Sequence, residues 1–297
     1  MTDAPLNADP LASLLTTLDL ASAGVVGGQD VFTGSSQWDP LGRVFGGQVL
    51  AQSLVAAQRT IHDDRVVHSL HGYFLRPGDL ALPITFSVDR IHDGRSFATR
   101  RTQASQDGVP ILSMIASFQT PDGGLEHQVD MPEGLPEPDD VVSDAEHLAT
   151  VDHPIAQAWA RDRPFDMRHV PSPVYFSVEG DRVPHQAVWL RATGPLPDDA
   201  DLHRAALLYA SDYTLLESVY RRHGTPLATP GMKVASLDHA MWWHRPARVD
   251  EWLLYVQESP NAIGGRGLAL GRIYDRAGAL VASVAQEGMV RVPSTRS

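Results

Sequence analysis

The sequence predicts an α+β protein made of two related halves. Two observations carry this reading. First, Phe74-Leu75-Arg76-Pro77 is echoed by Trp243-His244-Arg245-Pro246, 169 positions later, and the same offset aligns residues 110–116 with residues 279–285. Second, each half orders a long helical segment ahead of a run of β-like segments separated by turn signals, which is the pattern of an antiparallel meander with a helix to cover. A chain built from two related halves needs only one of them to carry chemistry. The residues that differ between the halves are therefore the first candidates.

In the first half, Leu11, Leu14, Leu15 and Leu18 are spaced for a short helix over residues 9–20. Residues 27–42 read as strand and loop. A second helix is expected over residues 46–61, where Leu50, Leu54, Ala57 and Ile61 form one apolar stripe. Gly46 and Gly47 fall in its first turn, where a missing Cβ lets another backbone come close. Strands are expected at 66–75, 84–92, 96–105 and 111–120, divided by Arg76-Pro77-Gly78-Asp79, His92-Asp93-Gly94 and Gln106-Asp107-Gly108.

Residues 121–172 are rich in Pro, Asp and Glu and read as an interdomain linker with a short helix within 144–160. The expected organisation is thus an N-terminal unit over 1–120, the linker over 121–172 and a C-terminal unit over 173–297. In the second unit, strands are expected at 174–178 and 186–192. One long helix follows over 201–222, closed by Gly224, and then strands at 233–244, 251–258, 268–275 and 280–291.

Composition excludes several classes. The chain has 297 residues, 43% of them hydrophobic, and no cysteine, which removes disulfides, thiolate nucleophiles and cysteine metal sites. A net charge of −12 argues against broad binding to nucleic acid or an anionic membrane. No apolar run is long enough for a membrane span. Met1-Thr2-Asp3-Ala4-Pro5 lacks a basic and apolar leader, so no secretory signal is expected and cytoplasmic residence is the default.

Three polar residues of the second half interrupt apolar patterns. Asp212 lies on the stripe of Leu208, Leu215 and Val219. A buried carboxylate must be paired, solvated or protonated; the competing reading is a helix break in which Ser211 or Asp212 caps a new start. Gln286 ends the row Leu280, Ala282, Val284, and its first-half counterpart is Ser117; the alternative is a strand end emerging into solvent. Ser236 alternates with Val234 and Asp238, and its counterpart is Val67. Arg76, Arg245 and Arg266 are candidate contacts for phosphate or carboxylate, or else surface turn residues. His68 and His71 lack the helix and glutamate of a zinc-protease motif. There is no Gly-x-Ser-x-Gly elbow, Walker lysine motif or Gly-x-Gly-x-x-Gly turn. Ser236, Asp238 and His239 include triad residue types but are too close on one strand to form a triad among themselves.

Arg43-Val44-Phe45-Gly46-Gly47-Gln48-Val49, the run from Val67-His68-Ser69-Leu70-His71 to Arg76-Pro77-Gly78-Asp79, and Leu237-Asp238-His239-Ala240-Met241-Trp242-Trp243-His244-Arg245-Pro246 resemble, in collinear order, the signature blocks of the acyl-CoA thioesterase II family. Trp252-Leu253-Leu254-Tyr255 and Ala285-Gln286-Glu287-Gly288 fit the same pattern, so the resemblance runs from about residue 10 to residue 293. It implies a double hotdog: two tandem hotdog units, each a long helix wrapped by an antiparallel sheet. It implies hydrolysis of acyl-CoA to a free fatty acid and coenzyme A, with the thioester as substrate and no cofactor or metal. The family's catalytic aspartate, threonine and glutamine fall on Asp212, Ser236 and Gln286. Serine keeps the hydroxyl and loses the methyl that restricts its rotamer. Gly46 and Gly47 are expected near the substrate carbonyl, and Arg76, Arg245 and Arg266 near coenzyme A phosphates. A homo-oligomer, dimer or tetramer, is expected from edge pairing of hotdog sheets. Two rival readings are a non-catalytic acyl-CoA-binding protein and a hotdog enoyl-CoA hydratase. The second calls for a histidine five residues beyond the aspartate, where Glu217 stands.

Overall fold

The computed structural model describes residues 9–293, so the N-terminal leader reading falls outside the described residues. The first unit contains α1 (Pro10–Leu18), β1 (Ala21–Val26), β2 (Gln29–Gly34), α2 (Gly46–Gln58), β3 (Val66–Phe74), β4 (Ile84–Asp93), β5 (Phe97–Gln106) and β6 (Val109–Gln119). Then come α3 (Asp144–Ala149), α4 (Pro154–Asp162), β7 (Phe165–Val170), β8 (His185–Ala192), α5 (Ala200–Ser211) and α6 (Glu217–His223). The chain ends with β9 (Lys233–Ser236), β10 (Asp238–Trp243), β11 (Leu253–Ile263), β12 (Arg266–Asp275) and β13 (Leu280–Arg291).

Among the described residues the strands form one antiparallel sheet of 13, in the order β1-β2-β4-β5-β6-β3-β10-β13-β12-β11-β8-β7, with β9 added beside β13. The internal offset has a direct structural meaning. Strands β4 and β5 correspond to β11 and β12, and the two halves meet where β3 pairs with β10, from Tyr73↔Asp238 to Ser69↔Trp242. Helix α2 packs on β2 to β6, α6 packs on β8, β11 and β12, and α5 packs against α2. Alternation along each strand sends Leu70, Phe86, Met114 and Phe118 of one half, and Met241, Ile273, Ala282 and Val284 of the other, into one shared apolar core. This is a double hotdog arrangement.

Four expectations need correction. The helix expected over 201–222 is two helices, α5 and α6, separated by turns over 212–216. Residues 174–178 form no strand. The expected strand 233–244 is broken at Leu237 into β9 and β10. The stretch read as linker holds two short helices and β7, which pairs with β8 and so belongs to the second half's part of the sheet. A further hairpin strand, β1, precedes the expected strand-and-loop region and pairs with β2 across Gly27-Gly28, both at positive φ.

The linker segment is fastened by buried charge. The ring of His169 on β7 lies between two carboxylates, with Nδ1 2.7 Å from Asp144 of α3 and Nε2 2.7 Å from Glu217 of α6. Tyr175 donates to the other oxygen of Asp144, and Gln186 donates to Glu217. Burial opposes a charge on His169, but the two carboxylates outweigh it and push its pKa up to about 10. The imidazolium therefore contributes stability in full below the usual 6.5, and that contribution is lost as pH rises through about 10. Replacing His169 by Leu leaves two carboxylates buried without their cation. We expect a loss of about 3–5 kcal/mol at neutral pH in denaturant unfolding, and a wild-type stability that declines from near-neutral pH towards pH 10.

Candidate active site at the junction of the two halves

Helix α2 begins without a cap of its own. Its N-cap position is Phe45, which offers no side-chain acceptor, so the amides of its first turn lack partners from within the helix. The acceptor comes from the other half. Asp212 terminates α5 in a helical conformation, and its carboxylate lies against the start of α2, where it receives a hydrogen bond from the backbone of Gly47. The glycine pair makes this approach sterically feasible. A Cβ on Gly46 would sit 2.5 Å from Oδ2 of Asp212, and one on Gly47 would overlap the carbonyl of Tyr209.

Ser236 on β9 and Gln286 on β13 reach the same carboxylate from the second half's strands. Ser236 Oγ donates to Asp212 Oδ1 at 3.0 Å, Gln286 Nε2 donates to the same oxygen at 2.9 Å, and Gln286 Nε2 lies 2.6 Å from Ser236 Oγ. A bulge brings the serine into place. β10 pairs with β13 in the register Ala240↔Ala285, whereas β9 pairs in the register Gly288↔Ser236, one residue out of step. The extra residue, Leu237, bridges both neighbours, donating to Glu287 O and accepting from Phe74 N. Re-aiming a side chain is what a bulge does. Gln286 is buried, not a strand end in solvent.

Burial raises the Asp212 pKa above the usual carboxylate value, while His239, Gln286, Ser236 and the Gly47 amide pull it the other way. Asp212 and Ser236 stay partly exposed, while Gln286, His239 and Ser211 form an enclosed layer. His239 belongs to that enclosed layer. It contacts Gln286 at 2.8 Å and Ser211 at 2.9 Å, and bonds neither Ser236 nor Asp238. The sequence marked His239 only as an unlikely triad member; its place opposite Gln286 on a paired strand was the signal that would have found it.

The three arginines are engaged by other protein groups. Arg76 donates to Pro110 O and Arg245 to Leu280 O, the same strand-end clamp in each half, and Arg266 pairs with Glu287 at 3.0 Å. His68 bonds Ser117, and His71 packs edge-on against Trp242. Among the described residues no group of three or more His, Cys, Asp or Glu is placed to hold a metal. Glu217, where a hydratase would need histidine, is committed to His169 and Gln186.

Residues 157–289 match the acyl-CoA thioesterase family model, and residues 35–119 match the acyl-CoA thioesterase N-terminal domain. The chain is 39% identical to acyl-CoA thioesterase 2 of Haemophilus influenzae, over 88% of this chain and 92% of that protein. The chain belongs to the acyl-CoA thioesterase II family. Members of that family are thioester hydrolases. Human acyl-coenzyme A thioesterase 8 is also 39% identical, over 89% of this chain and 85% of the relative. Among solved structures, an acyl-CoA thioesterase II from Mycobacterium marinum superposes with a TM-score of 0.77 at 45% identity, covering 95% of this chain and 99% of that one. A hotdog-fold protein from Alicyclobacillus acidocaldarius, at 18% identity and a TM-score of 0.76, shares the fold alone.

The steric argument for Gly46 gives a direct test. Gly46→Ala should displace the Asp212 carboxylate and lower thioester turnover by about 100-fold, with a much smaller change in melting temperature than in rate. Unchanged turnover would show that the carboxylate does not work at the start of α2.

Proposed function

We propose that this thioesterase hydrolyses fatty acyl-CoA through a water activated by Asp212, with Ser236 and Gln286 fixing its position. The observation that carries this reading is the convergence of Ser236 and Gln286 on Oδ1 of Asp212, beside the strand seam where the two halves meet. The water oxygen adds to the thioester carbonyl carbon while Asp212 takes its proton. The carbonyl becomes an oxyanion, for which we assign the amides of the first turn of α2 that make no intrahelical bond. Collapse of that intermediate breaks the C–S bond. Coenzyme A leaves as a thiolate and is protonated from Asp212, which restores the base.

The acyl chain is assigned to a cavity of about 480 Å³ that both halves line. Its walls include Ala12, Trp38, Phe45, Trp159, Tyr209 and Tyr213. Phe45 and Tyr213 stack with centroids 4.6 Å apart, and each is the sequence neighbour of a site residue, Gly46 and Asp212 respectively. The volume is in the range of small-ligand sites, and Trp38, Phe45, Trp159, Tyr209 and Tyr213 offer an acyl tail apolar surface on a wall they share with polar residues such as Gln37, Asp39 and Arg163.

Two experiments test this reading. In Asp212→Asn, release of free thiol from fatty acyl-CoA should fall by about 10²–10⁴-fold; a loss below about tenfold would remove Asp212 as base. The same assay against pH should show activity falling as pH drops through the Asp212 pKa, with the acid limb of kcat/KM above the usual 3.8 because burial raises that pKa. For the tail, Ala12→Trp fills the cavity from the exposed side of α1 and should lower kcat/KM for a long acyl chain by about tenfold or more while sparing a short one. Equal effects on long and short chains would place the tail elsewhere.

A further inference from the structure

Gln286 can serve Asp212 and Ser236 only in one of its two amide orientations. Its nitrogen supplies both donors, to Oδ1 of Asp212 and to Ser236 Oγ. Turned over, the amide would set its oxygen against an ionised carboxylate. Something must hold the other end, and that end meets a histidine. Oε1 of Gln286 lies 2.8 Å from Nδ1 of His239, and Nε2 of His239 lies 2.9 Å from Ser211 Oγ. His239, Gln286 and Ser211 are buried, at 0%, 1% and 0% exposure, so water does not offer these groups an alternative partner.

We propose that His239, held by Ser211 as the neutral tautomer with its proton on Nδ1, is a positioning residue that fixes the amide of Gln286 with its nitrogen toward Asp212 and Ser236. This rests on the thioesterase reading of the trio. For a neutral ring the donor count leaves one consistent arrangement. An ionised Asp212 needs donors from Gln286, which turns Oε1 toward His239. Oε1 can only accept, so Nδ1 carries the proton. In a neutral ring Nε2 then has a lone pair, and Ser211 must donate to it. The Ser211 hydroxyl also lies 2.8 Å from Leu208 O, four positions before Asp212. Were its proton committed there, Nε2 of His239 would have to donate, and Nδ1 would face Oε1 with two lone pairs. Burial also lowers the His239 pKa, which favours the neutral ring that this arrangement requires.

The test is a double-mutant cycle on thiol release. His239→Phe keeps much of the ring's shape and removes both nitrogens. We expect kcat to fall about 10–100-fold, with KM changed by less than about threefold. His239→Asn returns a donor near the Nδ1 position and should recover most of kcat. If His239 acts through Gln286, adding His239→Phe to Gln286→Ala should slow the enzyme no further. Wild-type-like kcat in His239→Phe, or a double variant slowed by the product of the single effects, would overturn the proposal. A second measurement needs no variant: nitrogen-15 spectra of histidine-labelled wild-type protein at neutral pH should show His239 protonated at Nδ1 alone. A ring protonated at Nε2, or at both nitrogens, would overturn the assignment. A wild-type protein that released no thiol would instead overturn the thioesterase reading, while the spectrum still decides the tautomer.

Discussion

The structure turns on one carboxylate that caps a helix it does not belong to. Helix α2 has Phe45 at its N-cap, a side chain with no acceptor for the first turn, and the carboxylate set there is that of Asp212 from the opposite half. The start of a helix carries the equivalent of about half a positive charge, so this is a favourable place for an anion that is otherwise costly to desolvate. The two effects oppose each other. Burial makes the acid harder to ionise, and the helix start, the serine and the glutamine make the anion easier to keep. In the proposed reaction, a carboxylate balanced in this way would be ionised yet poorly solvated, a condition that suits a base taking a proton from water.

Holding Asp212 there imposes costs on the surrounding chain. Helix α5 has to stop at Ser211 so that the carboxylate can turn toward α2, although the apolar spacing continues unbroken to α6. The carbonyl of Ser211 is met by the hydroxyl of Tyr255, and Thr214 receives a bond from Gln257. Gln257 in turn accepts from Gln186, which links the turn to Glu217 and Arg221. The buried polar network under α6 is thus the scaffold of the break, and the pairing of His169 with Asp144 and Glu217 fastens that scaffold to the linker helices. Partly satisfied, such a network would be a liability; here most of its members have partners.

Most of the fold was legible in the sequence. The strands β3 to β6, β12 and β13 lie within about two residues of their expected bounds, because period-two alternation and glycine turns mark them locally, while β11 runs five residues past its expected end. The 169-residue offset correctly paired the strands of the two halves. The failures share a physical cause: each depends on a contact from far along the chain. Nothing between Ser211 and Leu216 is a glycine or proline, so the polar pair Ser211-Asp212, read as a candidate cap of a new helix, was the one local sign of a break. Leu237 looks like any apolar strand residue, and only pairing with β3 and β13 at once makes it a bulge. β7 sits in a segment whose Pro and acidic content resembles a tether, and it is a strand because β8 offers it an edge. At the site, Asp212, Ser236 and Gln286 stood out as polar residues on apolar rows. His239 did not, since its role depends on which residue lies across from it.

The seam between β3 and β10 has a consequence for how such a protein can change. Two identical subunits would be obliged to build donor and receiver surfaces in duplicate, since any substitution would appear on both sides of the axis. Covalent fusion lifts that obligation. Here one half carries Val67 and Ser117 at the positions that match Ser236 and Gln286, and offers the glycine-lined receiving surface. The other carries the acid, the hydroxyl and the amide. Neither could be exchanged for a second copy of itself without losing that convergence, so the twofold likeness of the backbone does not extend to the side chains at the seam.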